Sequence, residues 1–459
     1  MLKKCPLFLL FVLGSFMTKA QDERKLTDNI FSKQLPNGLE MLVVEDHSVP
    51  LVTLNITFKA GAINQTSADQ GLIGLYGEMM LRGNKIYPST STFAYRAGAL
   101  GIMGGNRIAS EENTTYYFTL PRENLEDGLK YMNSAVRFAL LSPLDLEKEK
   151  QIIGDEIKEK RTLPTSPLNE EMAHQLWGDQ YCRKIALGDS SVINAATIEM
   201  MYTLKSKFFN PDNALLIVGG DVDHESAFKI IESVFGDWQT PSGNDQGQWI
   251  APEFKPLEKT KYFIAGSEQA GAPQIDIYWH GPDTRNDVAA TYAADVFSYI
   301  VNQNSSKLRM ALIPTGLATS VFVNYLTLKH TGPISIIVSP NPAKVKECMD
   351  EIRRQVALMD NDDYLTDAEI STAKRILEIT DVRREDVTSD FVLTLSFWWS
   401  SATLDYYFTY LDNLRRVSRA DLKSYVDKYI KNQPYCAGLL ISPTLRTEIK
   451  ADDFFNAGK

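Results

Sequence analysis

The chain has 459 residues, 44% hydrophobic and 23% charged, which is too long for one ordinary core and apolar enough to bury a large interior. A formal net charge of −10 disfavours nucleic acid and anionic membrane surfaces as partners. Four cysteines without a C-x-x-C pair point neither to a disulfide framework nor to a thiolate metal site.

Lys3-Lys4, an apolar run over residues 6–16 and Thr18-Lys19-Ala20 have the layout of a bacterial secretory signal, with cleavage expected after Ala20. The run falls short of the roughly 20 apolar residues that span a bilayer. The expectation is therefore a soluble protein, exported across the inner membrane to the periplasm. Cleavage removes Lys3, Lys4 and Lys19, taking the charge from −10 to −13, and leaves Cys182, Cys348 and Cys436. Asn55, Asn64, Asn113 and Asn304 each open an N-x-S/T triplet; in a bacterial protein they read as ordinary surface asparagines.

Beyond the leader the chain resembles itself at an offset close to 221 residues. The alternating stretch 54–58 leads into Gly61, and 221 positions on the stretch 275–279 leads into Gly281-Pro282; both read as half-buried strands closed by a turn. Residues 145–160 form a charged helix with Leu146, Ile152, Ile153 and Ile157 on its apolar side. A helix over 197–209, Pro211 and a strand over 214–218 are repeated as a helix over 418–430, Pro434 and a strand over 437–441, with Thr197 and Ser418 as N-caps. The stretch 239–258, with three prolines and two glycines, reads as a linker. Helices follow over 342–359 and 366–384, the second opened by Thr366 and Glu369 at capping-box spacing. These elements predict an α+β fold of two homologous lobes, 29–240 and 259–459, joined by 241–258. Each is a mainly antiparallel sheet with helices packed on one face.

Chemical motifs are sparse. The five histidines, His47, His174, His224, His280 and His330, form no helical pair, and His280 reads as a structural or edge residue at a strand end. Asp360-Asn361-Asp362-Asp363 lacks the glycine and the closing glutamate of a calcium loop, with Ser371 in the latter place; it reads as an acidic turn. Phe397-Trp398-Trp399 and Tyr406-Tyr407-Phe408-Tyr410 read as core aromatics on helices.

Residues 70–84 read Q-G-L-I-G-L-Y-G-E-M-M-L-R-G-N. This resembles the zinc helix of the pitrilysin/insulinase family, the inverzincins, whose pattern is G-x-x-H-x-x-E-H-M followed by G-T. Gly71, Met79 and Gly83 fall on the pattern; Gly74 stands at the first zinc histidine, Gly77 at the general-base glutamate and Glu78 at the second histidine. Residues 35–46 resemble the family's opening hairpin, and 210–222 with 235–238 the close of its first domain. Glu156, 78 residues after Glu78, matches the third zinc ligand, with Asp155 beside it. Leu312 and Thr319 stand where the family's second half places a peptide-binding arginine and tyrosine, and Arg309 is the nearest substitute. The resemblance thus implies a metallopeptidase fold with no catalytic, metal-binding or cofactor-binding residue of its own. Its implied role is a non-catalytic subunit enclosing peptide together with a zinc-bearing homologue. The alternatives are an active metallopeptidase with an unorthodox site and a peptide-binding or assembly scaffold. Gly74 and Gly77, each costing about 1 kcal/mol inside a helix, are expected to admit close packing of another segment.

Overall fold

The computed structural model describes residues 24–25, 27–241, 251–385 and 387–455; the expected leader and positions 242–250 of the expected linker lie outside the described residues. The first sheet contains β1 (Arg24–Lys25), β2 (Ile30–Gln34), β3 (Glu40–Glu45), β4 (Leu51–Phe58), β5 (Met103–Ala109), β6 (Thr114–Pro121) and β7 (Ala214–Gly220), in the order β1-β2-β3-β7-β4-β6-β5. Its one parallel pair among these strands is β3 with β7. The second sheet contains β8 (Lys261–Gly266), β9 (Gln274–His280), β10 (Ala318–Tyr325), β11 (Pro333–Pro340) and β12 (Cys436–Ile441), in the order β10-β11-β9-β12-β8, with β12 and β8 parallel.

Taken from its other edge, the second sheet reproduces the order β3-β7-β4-β6-β5 of the first. Even the register repeats. Asn55 pairs with Ile217 between β4 and β7, and 221 positions on Asp276 pairs with Gly438 between β9 and β12. The two lobes are one α+β design present twice.

Local signals set the element ends. Thr197 accepts the Met200 amide at the start of the Ile198–Phe208 helix, and Ser418 and Asp421 cap the Arg419–Tyr429 helix reciprocally. Thr366 and Glu369 do the same for Asp367–Glu385, at 3.0 and 3.2 Å. The turn between β2 and β3 needs φ = +93° at Gly38, where a side chain would also meet Asp212 at 2.8 Å.

Helices of the same lobe cover one face of each sheet, as the sequence predicts. The opposite face is covered too, and by the other lobe. In β3, Met41 and Val43 enter the first lobe's own core, whereas Leu42 and Val44 join Phe391 and Val392 of the second. A strand buried on both faces reads as a continuous apolar run. The Ser166–Trp177 helix lies on β12 and β8, and the Thr388–Ser401 helix, 222 positions later, lies on β7 and β4. Each crosses a central-strand glycine: a Cβ on Gly438 would stand 2.5 Å from Leu168, and one on Gly219 would stand 2.5 Å from Val392. The lobes therefore exchange equivalent helices.

This exchange overturns one expectation. Asn55, Asn64 and Asn113 are buried rather than at the surface, and only Asn304 of the four triplet asparagines is exposed. The polar side of β4, carrying Thr53, Asn55 and Thr57, lies under the second lobe's helix instead of water, and the Asn113 amide donates to the Ser400 hydroxyl at 2.7 Å. Cys182, Cys348 and Cys436 are free and buried. Among the described residues no helix is long and apolar enough to cross a membrane.

Candidate functional site

The Leu72–Met79 helix opens at Gly71, held at φ = +88°. There the Gln65 carboxamide oxygen accepts the Gly71 amide at 2.6 Å, and a Cβ would strike the backbone of Gly188 at 2.7 Å. Leu72, Leu75, Tyr76 and Met79 bury one side of the helix in the first core. Its other side carries Gly74, Gly77 and Glu78.

Arg107, reaching over from the edge strand β5, crosses this side. Its Cδ stands 2.7 Å from where a Cβ on Gly77 would be. Its Nε donates to Glu78 Oε1 at 3.1 Å, and Nη2 bonds the same oxygen. Close packing thus explains Gly77 but not Gly74, whose added Cβ would meet only the Ala186 carbonyl at an ordinary 3.6 Å. From the Pro143–Thr162 helix, Glu149 pairs with Arg82 at 2.5 Å with its side chain 1% exposed. Burial raises the pKa of Glu149, Arg82 opposes the rise, and the charge of Glu78 adds to it. Glu156 and Asp155 are exposed on the same helix, and Asp155 pairs with Lys158 at 2.9 Å.

Sequence reasoning missed both Arg107 and Glu149. Glu149 lies two turns before Glu156 on one helix face, a spacing that could have drawn notice. Arg107 belongs to no local motif, since only the sheet topology brings β5 beside the helix.

Among the described residues one group of three or more His, Cys, Asp and Glu brings its ligand atoms within 4.8 Å: Glu45, Asp223 and His224. Neither Glu78 nor Glu156 belongs to it. Glu45 Oε1 accepts the His224 amide at 2.8 Å and lies 2.6 Å from its Nδ1, while Phe31 stacks on the imidazole at 3.6 Å. This group sits where β3 and β7 end together, at the opposite end of the sheet from the Leu72–Met79 helix.

The other candidates have local partners. Leu312 is buried, and the exposed Thr319 donates to the Ser339 carbonyl at 3.2 Å. Arg309 is tied to Asn304 at 3.0 Å and to the Val321 carbonyl at 3.3 Å. His280 lies on β9, the middle strand of its sheet rather than an edge; it stacks on Trp177 at 4.6 Å, its Nε2 lies 2.9 Å from the Leu176 carbonyl, and burial lowers its pKa to about 4. His174 packs on Tyr181 at 3.8 Å. His47 pairs with Asp221 at 2.7 Å and His330 with Glu112 at 2.9 Å. In the acidic turn Asp360, Asp362 and Asp363 pair with Lys431, Lys423 and Lys307. Trp398, Trp399, Tyr406, Tyr407 and Tyr410 are core residues.

The profile described as "Insulinase (Peptidase family M16)" matches residues 40–188, and that described as "Peptidase M16 inactive domain" matches 195–377. An uncharacterized zinc protease of Rickettsia felis is 26% identical over 212 residues, covering 46% of this chain and 50% of that protein. The chain thus spans about half the length of the Rickettsia relatives it matches. A protease from Helicobacter pylori superposes with a TM-score of 0.77 at 17% identity, over 89% of this chain and 98% of that one. The periplasmic protease PqqL of Escherichia coli superposes with a TM-score of 0.74 at 14% identity, over 93% of this chain and 49% of PqqL. With both lobes matched in order and the fold shared, the chain belongs to peptidase family M16, the insulinase family.

Proposed function

We propose that this chain is an exported, non-catalytic M16 subunit whose two lobes form half of a peptide-enclosing chamber completed by a zinc-bearing homologue. The observation that carries this reading is Arg107, laid over Gly77 and paired with Glu78. A catalytic zinc needs three protein ligands, an open position and a base for the attacking water. The residues of this helix do not fit it: Gly74 and Gly77 offer no donor, and Glu78 is committed to the Arg107 guanidinium. A second cation at Glu78 meets that fixed charge. The pairing draws support from PqqL, on about half of which these two lobes superpose. Export rests on the expected leader and on the periplasmic setting of PqqL. The lobe limits 29–240 and 259–459 belong to the same proposal, and limited proteolysis should nick first within 241–258.

Metal analysis after dialysis, together with hydrolysis of an unstructured peptide by the chain alone, tests the reading. The expected result is no stoichiometric zinc and no cleavage. One tightly held zinc with cleavage overturns it. The Glu45, Asp223 and His224 group favours a second reading, an unorthodox metallopeptidase; in that case His224→Ala abolishes both metal and cleavage.

A further inference from the structure

The repeat gives the molecule two equivalent junctions between its lobes, and they treat their cations differently. At one, His280 stacks on Trp177 at 4.6 Å. The Lys184 ammonium, 4.6 Å from the same ring, pairs there with Glu111 and donates to the carbonyls of His330 and Thr331 at 2.7 and 2.9 Å. At the other, Trp399 stands 222 positions after Trp177 and Lys59 stands 221 positions before His280. The Lys59 ammonium lies 3.8 Å from the centre of the Trp399 ring. The likeness ends there. Among the described residues no oxygen accepts a hydrogen bond from the Lys59 ammonium or forms an ion pair with it, and of Lys329 only the backbone amide is engaged, by Glu112 at 3.0 Å. Both lysines are half-buried and line one cavity of about 450 Å³, with Trp399, Met41 and Leu404 among its walls. Lys33 lines it too but is engaged by Glu232 at 3.7 Å, and Glu40 and Asp405 bring negative charge to the same wall. Burial pulls the Lys59 pKa down to about 8, with the charge of Glu40 opposing the fall and that of Lys329 adding to it.

A sheltered ammonium without an acceptor is costly, and two that repel each other cost more; an anion placed between them relieves both. The walls select which anion. Glu40 and Asp405 repel a second negative charge, and the cavity's cations are lysines without the planar fork of arginine that matches phosphate, so a singly charged carboxylate suits it better. Met41 and Leu404 offer apolar surface to whatever body carries that charge. We propose that this cavity binds a carboxylate with an apolar tail, the carboxylate held by Lys59 and Lys329 and the tail lying along Met41 and Leu404. The C-terminus of a peptide and a free monocarboxylic acid both present this chemistry. The assignment does not depend on the chain being a peptidase subunit, because a free acid satisfies it equally.

Calorimetric titration of the full chain at constant ionic strength tests it, with hexanoate, hexylamine and inorganic phosphate as small probes and an unstructured peptide ending in leucine, as free acid and as C-terminal amide. A carboxylate probe should bind once per chain, with hexylamine and phosphate weaker by about tenfold or more. Lys59→Met, which keeps the apolar stem against Trp399, and Lys329→Gln should each weaken that binding by about tenfold. Lys329 is half-buried and its side chain bonds nothing among the described residues, so the outcome does not hang on how Lys59→Met folds. The peptide pair separates the two sources. A free acid that binds about tenfold more tightly than the amide, with the preference lost in both variants, identifies a peptide C-terminus as the ligand; lysine-dependent hexanoate binding with the two peptides alike identifies a small carboxylic acid. Binding of neither carboxylate, or binding that survives both substitutions, overturns the proposal, and phosphate or hexylamine binding as tightly as hexanoate overturns it as well.

Discussion

Replacing Lys184 by methionine tests how the lobes are held together. The Lys184 side chain is 4% exposed. Its ammonium pairs with Glu111, donates to the carbonyls of His330 at 2.7 Å and Thr331 at 2.9 Å, and lies 4.6 and 4.5 Å from the rings of Trp177 and Phe254. Glu111 and Glu112 come from the turn between β5 and β6, whereas His330 and Thr331 belong to the second lobe, so this one cation ties the lobes together. Glu112 adds to the tie by accepting the amides of Lys329 and His330 at 3.0 and 2.9 Å. Methionine keeps the apolar stem and deletes the charge, leaving the largely enclosed Glu111, 16% exposed, without its counter-ion. Loss of one partner of a buried pair costs about 3–5 kcal/mol. The cost should depend on pH, because burial already raises the Glu111 pKa to about 7 against an ordinary 4.5. Between those values the folded protein holds a proton that the unfolded chain has released, so this group's contribution to stability falls as pH rises through the window. Without Lys184 the folded pKa rises further. Urea unfolding should therefore show a large loss for Lys184→Met at pH 8 and a smaller one at pH 5, with Glu111→Gln restoring much of the loss at pH 8. Equal losses at both pH values, with no rescue, would refute the assignment of Lys184 as a buried counter-ion.

His280 should act in the opposite sense: its folded pKa of about 4 lies below the ordinary 6.5, so its share of stability is complete above pH 6.5 and lost as pH falls toward 4, a slope that His280→Gln should flatten in the same unfolding assay. Gly438→Val places carbon against Leu168 and the Phe263 ring, each 2.5 Å from where a Cβ would stand, and should lower stability by about 1–3 kcal/mol, with faster proteolysis between the lobes; an unchanged melting temperature counts against the helix exchange. The triple replacement Gly74→His, Gly77→Glu and Glu78→His should gain zinc affinity only when Arg107→Ala is added, as read by metal titration. Equal zinc binding with Arg107 present would show that the guanidinium does not block the site.

The repeat was legible because it is written in local signals. Thr197 and Ser418 cap equivalent helices, Pro211 and Pro434 follow them, and the equivalent strands β7 and β12 begin at Ala214 and Cys436. The likeness of residues 70–84 to a zinc helix was equally plain, since a helix motif is read at fixed spacing. What the sequence concealed depends on contacts between distant segments. Arg107 reaches Glu78 through sheet order alone, and Asn55 looks like a surface residue until the Thr388–Ser401 helix covers it.

The central claim is that this chain works through a partner, and reconstitution tests it most directly. A homologue with an intact His-x-x-Glu-His helix from the same organism is purified, and hydrolysis of an unstructured peptide is measured for each protein alone and for the mixture. The account predicts a recoverable complex, little activity from either protein alone and strong activity together. A homologue fully active by itself, with no complex formed, would contradict it.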